Sequence, residues 1–436
     1  MNIRKIRILT GMALCLCCCV FRLQAQDSSR LALSFDEALR YAVAHNYTLK
    51  NAGLDVRKAE AARWEALSTM LPQVQAGFDY SNMLGYEMNF GAMAIPMNPY
   101  GTFAVTASLA LSAQQVMGVA LSRISKEMSA ITHDQTLQSV HANVKNSYIS
   151  ILVMEEVVSL LDSTLAHMER LEKATQESVK VGAAEQISAD QLSVQVASMR
   201  NSILSNRRSL QMLYNALILQ IGAGVDSRIV LTTKIDELMD MDRLQQLLSQ
   251  GFRMEDNYDY RLLEQGEKIS KDQLTLAWLG FLPTLRAYYQ YSNKTYFGKE
   301  EGMNMTPPNM IGVSVALPIW QTGTRAAKIK EAQLDYQKTL NSRQQAEDAL
   351  RVQYNQLCYD LVTAMESYQV QKANLDVTKR VFDNTAEKYK YGRASNLEVT
   401  NASTDIITAQ SNYIQSVMGV LNAQIALENL MGGKSK

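Results

Sequence analysis

The stretch Pro72-Gln-Val-Gln-Ala-Gly-Phe-Asp-Tyr-Ser-Asn82 returns 211 residues later as Pro283-Thr-Leu-Arg-Ala-Tyr-Tyr-Gln-Tyr-Ser-Asn293. In the first copy Val74, Ala76, Phe78 and Tyr80 alternate with Gln73, Gln75, Gly77 and Asp79. In the second, Leu285, Ala287, Tyr289 and Tyr291 alternate with Thr284, Arg286, Tyr288 and Gln290. A period of two marks a β-strand with one apolar and one polar face. Each copy is followed by a second alternating run: Phe103, Val105, Ala107, Leu109 and Leu111, and later Ile311, Val313, Val315, Leu317 and Ile319. About ten residues is the length of a membrane-spanning strand. Tyr86, Phe90, Tyr100, Tyr296, Phe297 and Trp320 lie near the strand ends, where an aromatic girdle would sit. Two soluble hairpins, each with one face on a core, fit the same pattern.

The repetition extends beyond the strands. Residues 46–82 and 257–293 share Asn46/Asn257, Tyr47/Tyr258, Ala66/Ala277, Leu71/Leu282, Pro72/Pro283, Ala76/Ala287, Tyr80/Tyr291, Ser81/Ser292 and Asn82/Asn293. Chance would supply about two identities. Tyr148 pairs with Tyr359 at the same offset. Lys180, Gly182, Ala184 and Gly222 then pair with Lys390, Gly392, Ala394 and Gly432 at an offset of 210. The chain is therefore a tandem duplication of a unit of about 200 residues.

After each strand pair the pattern turns helical. All seven prolines fall between residues 72 and 99 or between 283 and 318, and residues 119–181 and 324–391 contain neither Gly nor Pro. As helices these runs would be about 95 and 100 Å long. Along the first, Leu137, Val140, Val144, Tyr148, Ile151, Met154, Val158, Leu161, Leu165, Met168 and Leu171 recur at steps of three and four, the seam of a coiled coil. Gly182 and Gly392 end the runs as turn residues, and a second helix returns in each half.

The 43 basic and 43 acidic side chains of the 436-residue chain leave no basic footprint for nucleic acid. Arg4, Lys5 and Arg7 precede an apolar run ending near Phe21, and Leu23-Gln24-Ala25 leads into Gln26: residues 1–25 read as a secretory leader. The segments before its cysteines fit a lipidation signal badly. Cutting there removes four basic and no acidic residues, for a net charge of −4, and leaves Cys358 alone, so no intramolecular disulfide is available. The four histidines (His45, His133, His141, His167) show no zinc-site spacing, and no nucleophile elbow or phosphate-binding loop is present. No enzyme, metal site or cofactor is read here.

Four strands cannot close a barrel, for which about eight are needed, so two, three or four copies would have to share one. The order strand–strand–long helix–return helix, repeated over nearly all of residues 33–432, resembles the TolC-like outer-membrane efflux proteins. Ala316-Leu317-Pro318-Ile319-Trp320 with Gly323 resembles the family's strand-to-helix passage. Val179-Lys180-Val181-Gly182 and Tyr389-Lys390-Tyr391-Gly392 resemble its helical tips, and Ala409-Gln410-Ser411-Asn412-Tyr413 its last return helix.

The resemblance implies a mainly α fold with a membrane β-barrel part. Three chains would form a 12-stranded β-barrel in outer-membrane lipid and a 12-helix periplasmic α-barrel. The first repeat would span 26–222 (strands about 72–113, hairpin about 115–222). An equatorial linker would take 223–257, with a strand at 228–232. The second repeat would span 258–436 (strands about 283–320, hairpin about 324–432). The implied function is an exit duct of a tripartite efflux or type I secretion system, passively conducting substrates from a periplasmic adaptor and an inner-membrane pump. The competing classes are a periplasmic coiled-coil adaptor and a structural protein of the cell envelope. The family's tips imply that Val181, Gly182, Ala183, Tyr391, Gly392, Arg393 and Ala394 touch the adaptor. Its acidic constriction maps onto Glu398, with Asp190 on the first tip as a second candidate and Ser188 as the counterpart of Glu398.

Overall fold

The structure, a computed structural model, describes residues 30–91, 93–182, 184–297, 307–320 and 322–432; the leader read over residues 1–25 lies outside them. The elements are β1 (Arg30–Leu33), α1 (Phe35–His45), α2 (Tyr47–Ser68), β2 (Gln73–Ser81), β3 (Glu87–Phe90), β4 (Met93–Pro96), β5 (Tyr100–Leu111), α3 (Ala113–Lys180), α4 (Gln186–Ile221), β6 (Arg228–Leu231), α5 (Ile235–Leu238), α6 (Met241–Ser249), α7 (Tyr258–Leu279), β7 (Thr284–Tyr296), β8 (Asn309–Ala316), α8 (Thr324–Lys390) and α9 (Asn396–Met431). The duplication is visible in these bounds. Helices α2 and α7 have 22 residues each and start 211 apart; α4 and α9 have 36 each and start 210 apart. Between them α3 has 68 residues and α8 has 67. The offset is 211 at the start of this pair of helices and 210 at its end.

Two boundaries differ from the sequence reading, and three short strands are absent from it. Helix α3 starts at Ala113, through Gly118, because Ser112 and Gln115 form a capping box. The Gln115 N–H donates to Ser112 Oγ (3.3 Å) and the Ser112 N–H to Gln115 Oε1 (2.9 Å). Strand β8 ends at Ala316 although the alternation runs to Ile319, since Pro318 has no N–H for the ladder. The short hairpin β3–β4 and strand β1 carry too few residues to show a period.

The chain divides into two compact units, each described by itself. The first comprises residues up to Asn46, Val140–Met241 and Met365–Asn422. Here β1 and β6 pair in parallel, and against them Ala38, Ala42, Val144, Tyr148, Ile151, Leu217 and Ile221 form a closed core. Tyr148, fully buried, donates its hydroxyl hydrogen to Leu33 O (3.0 Å) and accepts from the Thr233 N–H (3.3 Å). Helices α3 and α4 are joined by rungs seven residues apart: Glu155–Tyr214 (2.6 Å), Asp162–Arg207 (2.8 Å) and Glu169–Arg200 (2.7 Å). The seven-residue step places all three on one line of a supercoiled pair. Burial, then Glu155, push the Tyr214 hydroxyl pKa upward.

The second unit comprises Tyr47–Ser139, Asp242–Ala364 and the chain from Ala423. Its four-stranded sheet has the order β2-β5-β7-β8, antiparallel throughout. The register gathers Val74, Ala107, Tyr289 and Ile311 in one row, and Gln75, Thr106, Gln290 and Met310 in the next. One face of the sheet is thus apolar and the other polar. Tyr288 lies over Gly312, where a Cβ would meet its ring at 2.6 Å, which lets the ring lie flat on the polar face. On the helices of this unit, Arg343 bridges Glu267 and Glu347, and Tyr260 donates to Glu347 (3.2 Å).

Each unit contains the same joint, 210–211 residues apart. The Asn46 amide donates to Gln220 O (2.6 Å), and the Asn257 amide to Leu430 O (2.9 Å). Gly222 and Gly432 come two residues later with φ of 72° and 67°, and a side chain there would collide with the backbone at His45–Asn46 and Asp256–Asn257. Gly182 has the same handedness but open space around it. Ala at Gly182 should therefore cost about 1–2 kcal/mol from backbone strain alone, and Ala at Gly222 or Gly432 clearly more. Denaturant unfolding in detergent micelles checks the ranking; equal losses at 182 and 222 would contradict it.

Candidate functional site

The candidate site is the pair of helical tips. Helix α8 ends in a Schellman turn: the Gly392 N–H donates to Tyr389 O (2.9 Å), the Arg393 N–H donates to Lys388 O (2.9 Å), and Gly392 takes φ 66°. The first tip begins alike, with the Gly182 N–H on Val179 O (3.0 Å) and φ 75°; Ala183 lies outside the described residues. Both tips leave the same positions exposed. Val181 and Tyr391, 210 apart, are 79% and 72% exposed, and Ile187 and Leu397, also 210 apart, are 60% and 67% exposed. Arg393 is exposed and Ala394 half-buried.

Behind the tips all four long helices share one core, with Met168 and Leu171 from α3, Leu192 and Val196 from α4, Phe382 from α8, and Val399 and Ile406 from α9. Two polar ties stitch the hairpins. Buried Thr175 and Tyr389 are hydroxyl-to-hydroxyl at 2.9 Å. The Asn396 amide donates to Gln191 Oε1 (3.0 Å) and Ser188 O (3.4 Å).

Glu398 has local work of its own. The Ser395 N–H donates to Glu398 Oε2 (2.6 Å) and the Glu398 N–H donates to Ser395 Oγ (3.2 Å), a capping box that starts α9. The Ser395 backbone N–H, then its hydroxyl and the more distant Lys388 charge, hold the carboxyl below the usual range. A folded pKa below the unfolded one means that the cap is intact above the ordinary Glu value and is lost as pH falls through the lowered one. The first tip has no such box: Glu185 precedes α4 without a side-chain cap, and Asp190 accepts from the Gln186 amide (2.8 Å). The Ser-x-x-Glu spacing of the box was readable in the sequence. The Thr175–Tyr389 tie, between residues 214 apart, was not.

A chain built twice, with two helical hairpins and four strands that carry one apolar and one polar face, has the architecture of an outer-membrane channel subunit. The family described as outer membrane efflux protein matches residues 38–223 and 263–433, and the chain belongs to it. It is 22% identical to outer membrane protein TolC of Escherichia coli (strain K12) over 401 residues, covering 84% of this chain and 78% of that protein. Its fold is that of solved channels. The Campylobacter jejuni CmeC outer membrane channel superposes with a TM-score of 0.76 at 15% identity, over 92% of this chain and 87% of that one. VceC of Vibrio cholerae does so with 0.74 at 14% identity, over 92% and 97%. The protein is an outer-membrane exit duct of an efflux system with a periplasmic extension, and its relatives are channels.

Removing the Tyr389 hydroxyl should loosen the tips. Tyr389→Phe leaves buried Thr175 short of a partner, at a cost of about 0.5–1.5 kcal/mol. Amide exchange near residues 175–182 and 386–393 should quicken. A double-mutant cycle with Thr175→Val should show coupling; additive effects would mean that the tie is idle.

Proposed function

We propose that three copies of this chain close a 12-stranded barrel and a 12-helix periplasmic tube, which passively conducts cargo delivered by an inner-membrane pump through a periplasmic adaptor. The observation that carries this is the pair of open edges, β2 and β8, on a sheet with one apolar face. Unpaired backbone groups in hydrocarbon cost several kcal/mol each. β8 of one copy runs antiparallel to β2 of the next, so the edges fit without a change of direction; the number three comes from the family architecture. The helices support the same association. On α8, Leu334, Val352, Tyr359, Val370, Val377 and Val381 are exposed and fall on one line at 3.6 residues per turn. On α4, Ile187, Val194, Met212 and Leu219 do the same. A heterologous contact between such stripes closes a ring under threefold rotation. Residues 223–257 would belong to a belt around the tube.

In this reading the tips meet the adaptor through Val181, Gly182, Ala183, Tyr391, Gly392, Arg393 and Ala394, with Ile187 and Leu397 beside them. Exposed apolar side chains repeated at both tips give a docking surface with pseudo-equivalent halves. Glu398 would ring the constriction as three carboxylates, with Asp190 as a second ring.

Two outcomes check this. Val181→Asp with Tyr391→Asp should abolish adaptor capture and efflux while the heat-sensitive band near three chain masses persists; full efflux would remove the docking role. In planar bilayers Glu398→Ala should weaken block by multivalent cations, whereas Ser395→Ala, which breaks the cap but keeps the carboxylate, should not. Unchanged block in Glu398→Ala would place the residue outside the constriction.

A further inference from the structure

The polar face of the sheet is not electrically neutral. Among the described strand residues its charged side chains are Asp79 on β2 and Arg286 and Lys294 on β7, while the apolar face has none. The register settles the assignment: Asp79 pairs with Thr102 and Thr102 with Lys294, in one row, while Arg286 stands in the row of Ala110 and Ser314.

Lys294 is held. Its Nζ lies 3.7 Å from the Tyr100 ring centroid and 5.0 Å from that of Tyr296, and the two rings, paired across β5 and β7, are 5.9 Å apart. Both rings stand on the polar face rather than in a lipid-facing girdle, and two ring faces favour the charged ammonium and fix a long, flexible side chain in place. Asp79 stands in the same row two strand spacings away, about 9.6 Å between the backbones. Strand β7 leaves α7 at Thr284 and reaches Lys294 two residues before its far end, so this group sits at the end of the strand away from the helix. Arg286 lies near the start.

We infer that the lumen of the exit barrel is a binding surface for multivalent anions, and that Lys294, clamped by Tyr100 and Tyr296 at the outer mouth, is its determinant. This rests on the exit-duct reading, in which the polar face lines the lumen and, counting the described residues of the four-stranded sheet, three copies bring six cationic groups against three carboxylates. Like charges around a narrow pore add their fields and concentrate counter-ions. The cargo class so favoured carries phosphate or several carboxylate groups. The duct then has opposite signs along its length, acidic at the tips and basic at the mouth.

The test uses full-length assemblies in planar bilayers, with inositol hexakisphosphate as probe, added to one side at a time. Wild type should be blocked from the outer side. Lys294→Gln should raise the half-blocking concentration about tenfold, Lys294→Arg should retain block, and block by a multivalent cation from the tip side should be unaltered in both. Equal outer-side block in wild type and Lys294→Gln, or block without sidedness, overturns the inference while leaving the duct intact. A wild type that forms no conducting steps at all would instead remove the exit-duct reading, and this inference with it.

Discussion

The constraint on which the rest depends is that a β-strand in hydrocarbon cannot leave its outer backbone groups unpaired. Four strands per chain, β2-β5-β7-β8, satisfy every internal seam and leave two edges. Packing within one chain cannot repair this, because four strands are too few to curl into a closed sheet. In the proposed assembly the edges meet on another copy. The polar and apolar faces are sorted strand by strand. Gly312 admits a flat Tyr288 ring on the polar face, and Gly101 admits Phe78 and Phe297 on the apolar one.

Among the helices the same logic appears as a duplication that has drifted from symmetry. The two joints, Asn46 with Gly222 and Asn257 with Gly432, preserve one solution to ending a return helix against the backbone of an earlier turn. The surroundings differ. Tyr148 is fully buried against the β1–β6 pair, whereas its counterpart Tyr359 is 70% exposed on the stripe of α8. At this position the first half uses its tyrosine inside the chain, and the second leaves it on the surface. The one residue by which α3 exceeds α8 belongs to the same divergence.

Much of this was legible because it is periodic. The period of two over Val74–Tyr80 and Leu285–Tyr291, the seam from Leu137 to Leu171, and Gly182 and Gly392 at their ends fix the element order from local chemistry alone. The less visible features depend on partners distant in the chain or on short motifs. Strand β1 has four residues and pairs with β6 almost two hundred residues later. The start of α3 hangs on Ser112 and Gln115, ahead of the run that lacks Gly and Pro. At the candidate site, Glu398 stood out by its place after the second tip. Its bond to Ser395 shows that the same carboxylate also starts a helix, a role that spacing could have disclosed. The Thr175–Tyr389 tie needed coordinates.

The most direct test of barrel closure between copies is oxidative cross-linking in intact membranes. One cysteine is placed in β2 and one in β8 of a Cys358→Ser chain, and residues 73–81 are scanned against 309–316. At the matching register the account requires a covalent ladder that ends at three chain masses. Monomer alone at every register, or a ladder ending at another mass, would contradict it.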